Sequence, residues 1–200
     1  MRQTPENQAG AEDPIERSAA LRREADVVMR EVRLHEIIAP YGAVQLQGSY
    51  YLDLMMYPDI DLFIPPVSLD ELFAIGAQLA ASELVTQVKF QKWAPETLPG
   101  GRYAQARVRY GDWGRPWKLD IWSVDAAVAK MQLAEQEGFK RKLTKPLREQ
   151  ILRYKYSILN KHHRTPVFSG YFIYKAFLDE AMTDFDAVTS YLIANGVQVD

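Results

Sequence analysis

The segment DIDLFI, residues 59–64, constrains the fold of this chain more than any other part of the sequence. Side chains two positions apart on a β-strand point to the same face. Asp59 and Asp61 therefore stand side by side, and Ile60, Leu62 and Ile64 point to the opposite face. Two carboxylates held this close repel each other, and one gains a raised pKa unless a cation neutralises them. The segment predicts a half-buried strand that presents a divalent metal site.

A second segment, KLDIW (residues 118–122), has the same alternation. Asp120 shares one face of this strand with Lys118 and Trp122, while the aliphatic side chains between them form the other face. A sheet that contains both strands would have one covered face and one open cleft. The alternation therefore predicts that Asp120, like Asp59 and Asp61, lies on the polar face of its strand.

A glycine and a serine, Gly48 and Ser49, follow a short predicted strand at residues 43–47, and Ser49 precedes Asp59 by 10 positions (59 − 49). Glycine allows the backbone to approach a ligand closely because it has no Cβ atom. A serine hydroxyl and the free N–H groups of a turn or short helix can bind phosphate oxygens. This pair therefore predicts a phosphate-binding corner before the first acidic strand.

The arrangement resembles the nucleotidyltransferase superfamily, which includes DNA polymerase beta, the antibiotic nucleotidyltransferases and the minimal nucleotidyltransferases. The resemblance covers residues 21 to 125. It implies that Gly48 and Ser49 hold a nucleoside triphosphate such as ATP. It also implies that Asp59 and Asp61 hold two Mg²⁺ ions, which need not be bound without nucleotide. Asp120 would complete the second metal site or accept the proton of the attacking hydroxyl.

The order of predicted elements indicates an α+β fold with a nucleotidyltransferase-type mixed β-sheet, flanking helices and a helical C-terminal part. Helical periodicity predicts one helix from Pro14 to about Ala39, and Ser68 with Glu71 predicts a capping box that opens another. We expect a disordered N-terminal tail over residues 1–13, a core domain over 14–125, and a helical region over 126–200 that packs on it. Breaks in the helical region are expected near Gly138 and at three later positions, near 146, 166–170 and 183.

Composition excludes several classes of protein. Lys and Arg total 24 against 26 for Asp and Glu, which argues against a general nucleic-acid coating protein, so we expect no extended nucleic acid as partner. The absence of cysteine excludes disulfides, thiolate metal sites and a cysteine nucleophile. The first residues lack a secretion signal, and no run approaches the ~18 apolar residues needed to span a bilayer. We therefore expect a cytoplasmic protein without a membrane partner.

Residues 140–164 carry a local excess of basic side chains. They form either a solvated helix face or a set of cations that bind triphosphate or an anionic acceptor. Lys155 and Lys161 are the residues of this stretch that we select as nucleotide-binding candidates. Arg107 and Arg109 alternate with the apolar side chains of their strand, and we interpret them as exposed, with a ligand contact as the alternative.

These patterns predict a metal-dependent nucleotidyltransferase. It would move a nucleoside monophosphate from a triphosphate to a hydroxyl of an unknown acceptor, a small molecule or a protein, and release pyrophosphate. One alternative is a non-catalytic member of the same fold that binds a nucleotide or a partner. A second is a two-metal phosphodiesterase, which also uses clustered acids but has no need of the Gly-Ser pair.

Overall fold

The computed structural model describes residues 12–91 and 94–199. Most of the expected disordered tail, residues 1–11, lies outside the described residues. Within the described part, Asp13 belongs to the first helix as its N-cap, because its Oδ1 accepts a hydrogen bond of 3.1 Å from the N–H of Ile15. Glu12 forms an ion pair of 2.7 Å with Arg17. Residues 12 and 13, which the prediction placed in the disordered tail, are therefore held against the first helix.

Five strands form one mixed sheet in the order β1-β2-β5-β4-β3. The strands are β1 (Gln45–Gln47), β2 (Asp59–Ile64), β3 (Val85–Gln91), β4 (Arg102–Val108) and β5 (Trp117–Ser123). The two central strands β2 and β5 are parallel, whereas the other neighbouring pairs are antiparallel. The two acidic strands predicted from the sequence are therefore neighbours at the centre of the sheet.

Eight α-helices and one 3-10 helix (Ala39–Tyr41) are present in the described residues. The α-helices are α1 (Pro14–Glu31), α2 (Leu34–Ile38), α3 (Gly48–Tyr51), α4 (Leu69–Ala80), α5 (Ala126–Lys142), α6 (Lys145–Ser157), α7 (Ser169–Leu178) and α8 (Phe185–Ala194). The capping box of Ser68 and Glu71 is present at the start of α4, as predicted. None of the helices in the described ranges has the length and apolar character needed to cross a membrane.

Two details of the helix prediction are wrong. The predicted helix from Pro14 to about Ala39 is broken at Arg33, which has a left-handed conformation with φ of 55°. This break allows Leu34 and Ile38 to turn their side chains into the core, where both are fully buried. The expected interruption at Gly138 is absent, because α5 continues through it and ends at Lys142. A single glycine weakens a helix only modestly, and neighbouring turns compensate for it.

The apolar face of the sheet forms the main core. Its side chains come from alternate positions of the three central strands, and α1, α2 and α4 cover them. The sheet contributes Ile60, Leu62, Ile64, Ala104, Ala106, Val108, Trp117, Leu119 and Ile121. The opposite face of the same strands carries the polar side chains, and a small apolar cluster that includes Phe63 and Trp122 also lies on it.

The C-terminal helices have a second hydrophobic core of their own. It joins side chains of α5 to α8, such as Phe139, Ile151 and Phe177, with Leu54 and Met56 from the segment between α3 and β2. The connection between the Gly-Ser corner and the acidic strand is therefore held by the helical part of the chain. Together, the mixed sheet, its flanking helices and the helical C-terminal part confirm the predicted α+β fold class.

Candidate active site

The polar face of the sheet brings the three predicted acids together. Asp61 on β2 pairs in register with Asp120 on β5, and Asp59 pairs with Lys118. One carboxylate oxygen from each of Asp59, Asp61 and Asp120 can be chosen so that all three lie within 4.8 Å of one another. The parallel pairing of β2 and β5 produces this convergence, because it aligns two alternating strands with their acids on the same face.

Lys118 lies between two of these acids. Its Nζ is 2.6 Å from Oδ2 of Asp120 and 3.0 Å from Oδ2 of Asp59. Burial alone would lower the pKa of Lys118, but the nearby carboxylates, Asp59 foremost, raise the pKa above its ordinary value. The ammonium group therefore stays charged and neutralises part of the cluster.

The carboxyl groups on β2 resist ionisation. Burial raises the pKa of Asp59 well above its usual range, and the charge of Asp61 raises it further. Burial followed by repulsion from Asp120 raises the pKa of Asp61 to about 6. The single positive charge of Lys118 therefore does not neutralise the three carboxyl groups.

The donor atoms suit an additional hard cation. Oδ1 of Asp59 is buried and, among the described residues, has no hydrogen-bond partner. An unpaired buried carboxylate oxygen is unfavourable, and a bound cation would satisfy it. Carboxylate oxygens are the protein ligands that Mg²⁺ prefers. The residues present therefore fit a divalent metal held by Asp59, Asp61 and Asp120.

Asp120 is oriented by two side chains of β4. The hydroxyl of Tyr103 donates to its Oδ1 at 2.6 Å, and the amide of Gln105 donates to the same oxygen at 3.1 Å. Burial, together with the negative charge of Asp120, raises the pKa of Tyr103, so the phenol remains a donor. Oδ2 of Asp120 is then the oxygen that contacts Lys118.

The Gly-Ser corner lies against the same cluster. Gly48 has a φ of 59°, and a Cβ atom added there would lie 2.5 Å from Oδ2 of Asp61. Any side chain at this position would therefore displace the carboxylate. The N–H of Gly48 donates to Oε1 of Gln136 on α5 at 2.8 Å, and Ser49 continues into α3. The corner is thus placed as expected, with one of its N–H groups bonded to a helix of the C-terminal part.

The two selected lysines occupy different environments. Lys155 on α6 is 1 % exposed, and its Nζ donates to the carbonyl of Leu54 at 2.5 Å and to the hydroxyl of Tyr174 at 3.1 Å. Burial lowers the pKa of Lys155 to about 7, against the opposing effect of Asp59 and Asp61. Lys161 is exposed in the turn after α6, and no described contact joins it to the acids. Lys155 is therefore the one that lies near the cluster.

Other cations of residues 140–164 have structural partners. Arg148 donates to Oδ2 of Asp53 at 2.9 Å, which holds the segment between α3 and β2. Lys142 pairs with Asp179 at 2.7 Å. Part of the basic excess therefore forms structural ion pairs, one within the helical region and one to the segment between α3 and β2, rather than a continuous cleft lining.

Sequence reasoning identified the acids but missed several of the residues around them, among them Tyr103, Gln105 and Gln136. The alternation of β4 was the available signal for two of these residues, because Tyr103 and Gln105 alternate with the core alanines and so must share the polar face. No sequence pattern pointed to Gln136, since only the packing of α5 brings it to Gly48.

The chain is similar to several solved structures, among them the following two. One is Cid1, a protein with RNA terminal uridylyl transferase activity, at a TM-score of 0.43 and 16 % identity over 72 % of this chain and 41 % of Cid1. The other is a chain of the GLD-2/RNP-8 complex, at a TM-score of 0.40 and 12 % identity over 76 % of this chain and 56 % of that chain. The chain thus spans less than two thirds of either. No protein-family model and no curated protein matches the sequence.

The arrangement of elements on which the predicted resemblance depends is present in the structure. The mixed sheet, the glycine corner against Asp61 and the cluster of three aspartates are all present. Each of these features comes from a separate point of the chain, and the pairing of β2 with β5 brings them together.

Proposed function

We propose that this protein is a metal-dependent nucleotidyltransferase. It would transfer a nucleoside monophosphate from a nucleoside triphosphate to a hydroxyl group of an acceptor, with pyrophosphate as the leaving group. The convergence of Asp59, Asp61 and Asp120 beside Gly48 carries this proposal. Clustered acids alone would suit several classes of metal enzyme. The backbone of Gly48 lies directly against Asp61, and this supports a substrate whose phosphate groups bind next to the three acids.

Each residue would have a distinct role. Bound Mg²⁺ would supply positive charge that screens the phosphates and stabilises the charge that develops during transfer. Asp59 and Asp61 would hold the metal, and Asp120 would complete the site under the orientation set by Tyr103 and Gln105. Catalysis of this kind depends on positioning and charge neutralisation.

The cations around the acids would contact the triphosphate. The ammonium of Lys118 lies within 3.0 Å of two carboxylates, so it can turn to a phosphate oxygen once a metal satisfies those acids. Gly48 and Ser49 are proposed to hold the phosphates at the β1 side of the cluster. Lys155 and Lys161 remain proposed triphosphate contacts. Because Lys155 is buried beside the cluster, we expect it to contribute more to triphosphate binding than Lys161 does.

Purified protein would be incubated with Mg²⁺, each of the four nucleoside triphosphates and a panel of hydroxyl acceptors, and pyrophosphate release would be measured. We expect release that depends on both metal and acceptor. Asp61→Asn should abolish it. Asp70→Asn is the matched control, because Asp70 is exposed near the start of α4. Equal release by Asp61→Asn and the wild type would contradict the assignment.

One observation favours a second candidate, a non-catalytic nucleotide-binding protein of the same fold. Lys118 already neutralises part of the acid cluster, as expected of a site that does not always need a metal. Calorimetry with MgATP and MgGTP, followed by the pyrophosphate assay, separates the two functions. Binding without pyrophosphate release for any acceptor tested would favour the second candidate.

A further inference from the structure

A buried arginine nitrogen that has no hydrogen-bond partner among the described residues lies close to the acid cluster. Arg115 belongs to the turn between β4 and β5, and its guanidinium lies 5.6 Å above the ring of Tyr57. Within the ranges that the structure describes, its Nη1 is buried and makes no hydrogen bond. A buried guanidinium N–H without an acceptor is unfavourable, so a ligand that supplies an oxygen would stabilise this conformation.

Two further arginines, Arg107 and Arg164, belong to segments that adjoin the turn of Arg115. Arg107 is half-buried on β4 and pairs in register with Lys118, so it extends the polar face beyond the acids. The turn that carries Arg164 packs against the β4–β5 turn, because a Cβ added at Gly114 would lie 2.5 Å from the ring of His163. The segments that carry the three arginines therefore adjoin at one edge of the cleft.

The electrostatics agree with this geometry. Burial lowers the pKa of Arg115, and repulsion from Arg107 and Arg164 adds to the lowering, while the charge of Asp59 opposes it. The positive groups thus repel one another at the edge of the acid cluster. Such an arrangement is stabilised when an anion binds between the cations.

The sheet order places these arginines opposite the Gly-Ser corner. Gly48 and Ser49 follow β1 at one side of the acids, whereas Arg107 lies on β4 at the other side. The acids on β2 and β5 stand between the two groups. If the corner holds the triphosphate, as proposed above, the arginines lie where the acceptor must approach.

The chemistry of the three side chains indicates the anion. A guanidinium presents two parallel N–H donors, which match the oxygens of a phosphate. Three such groups carry more positive charge than a single carboxylate can neutralise, and a phosphate monoester or the diesters of a short nucleic-acid end carry more negative charge than a carboxylate does. Exposed Arg109, two positions after Arg107, lies outside this group.

We propose that Arg115, with Arg107 and Arg164, forms a phosphate-binding site on the acceptor side of the three aspartates, and that the acceptor therefore carries a phosphate group. The phosphate-binding site is a property of the described residues, whereas its assignment to the acceptor rests on the proposed function. The phosphate can belong to a small phosphorylated molecule or to an RNA end.

Calorimetry without Mg²⁺ or triphosphate tests the site directly. The probes are ribose 5-phosphate, triuridylate, ribose as the uncharged control, and gluconate as a carboxylate of similar size. We expect at least one phosphate-bearing probe to bind about tenfold more tightly than ribose or gluconate. Tighter binding of ribose 5-phosphate would indicate a small phosphorylated acceptor, and tighter binding of triuridylate an RNA end.

Variants separate this site from a general attraction of anions. Arg115→Gln should weaken binding of the preferred probe about tenfold, and Arg107→Gln should weaken it in the same direction. Arg109→Gln is the matched control and should bind as the wild type does. Thermal melting would establish that each variant is folded. Equal binding of all four probes, or wild-type binding by both folded Arg115→Gln and Arg107→Gln, would overturn the proposal.

The same variants distinguish failure of this inference from failure of the proposed function. Asp61→Asn should bind the phosphate probe as well as the wild type does while losing pyrophosphate release. Probe binding that depends on Arg115, without any pyrophosphate release, would support the phosphate-binding site and contradict the transferase function. The opposite outcome is pyrophosphate release with acceptors that lack phosphate and no change in Arg115→Gln. It would contradict the phosphate-binding acceptor site and support the transferase function.

Discussion

The two faces of the central sheet are built from the same strands but have opposite energetics. On one face, side chains such as Leu62 and Ile121 are fully buried under three helices and stabilise the fold. On the other face, Asp61 and Asp120 stand in register and repel each other. A shift of one residue along β2 would exchange the two faces. The apolar face therefore fixes the register that holds the acids together.

This difference indicates that the polar face is maintained at the expense of stability. Buried like charges oppose folding, and Lys118 offsets only part of this repulsion. The native fold tolerates the acids because the apolar face contributes more than they remove. Proteins commonly retain such unfavourable groups where a ligand or a reaction requires them.

The largest expected effect is the loss of transfer in Asp61→Asn. The substitution preserves size but removes a charged metal ligand, so we expect pyrophosphate release to fall by about 10³-fold, the range seen when one charge-stabilising group is lost. The metal-free variant should be at least as stable as the wild type, because repulsion with Asp120 is relieved. Circular dichroism and urea denaturation would check the fold. A strongly destabilised variant would contradict the claim that the acids of the polar face oppose folding.

On the apolar face, Leu62→Ala should have the opposite effect on stability. Leu62 is fully buried in the main core, and its truncation should lower the free energy of unfolding by about 3 kcal/mol. Urea denaturation of the metal-free protein measures this change. Phe73→Ala serves as the control, because the ring of Phe73 is 45 % exposed and its loss should matter less. Equal losses for the two variants would contradict the burial argument.

The pH dependence of the free energy of unfolding should show how far the buried and repelling carboxylates of the polar face oppose folding. The pKa of Asp61 is raised to about 6 in the folded protein from an ordinary value of 3.8, so the folded state holds the proton more tightly. Its contribution is favourable below pH 4 and is lost as pH rises through about 6. Asp61 is only half-buried, so we expect a loss of about 1–2 kcal/mol in the metal-free protein. Denaturant midpoints between pH 4 and 7 would measure it.

The matched control for this pH profile is Asp61→Asn, which should show a flatter dependence over the same window. Asp59 has its pKa raised in the same direction by burial, so a residual slope should remain in the variant. A wild-type stability that rises steadily from pH 4 to 7 would contradict the predicted sign.

The smallest expected effect concerns the orientation of Asp120. Tyr103→Phe removes the hydroxyl that donates to Oδ1 at 2.6 Å and leaves the ring in place. We expect pyrophosphate release to fall about tenfold, as is typical for a residue that orients a metal ligand. The Mg²⁺ concentration for half-maximal activity should rise, which a purely structural role would not cause. Tyr110→Phe is the control, because the ring of Tyr110 packs at the main core.

The acidic cluster was largely predictable from the sequence. Asp59, Asp61 and Asp120 interrupt apolar strands at alternate positions, and strand geometry alone assigns them to the face opposite the aliphatic side chains. The capping box at Ser68 was predictable for a similar reason, since both partners lie within one turn of helix. Both predictions depend on local spacing.

Features that depend on contacts between distant segments were not predictable. The break at Arg33 exists because the second short helix must turn its apolar side chains into the core, and a periodic pattern does not reveal that direction. Lys155 reaches the cluster through the packing of α6 against Leu54. Nothing in its local sequence separates it from Lys161, which stays exposed.

The sequence by itself determined which side chains share a face of each strand, because the strand repeat of two residues is a property of the local backbone. Only the tertiary structure decided that β2 and β5 are parallel neighbours, that Lys118 lies between their acids, and that the β4–β5 turn brings Arg115 to the edge of the cleft. Strand pairing and turn placement depend on how the separate segments bury their apolar surface together, which no short stretch of sequence specifies.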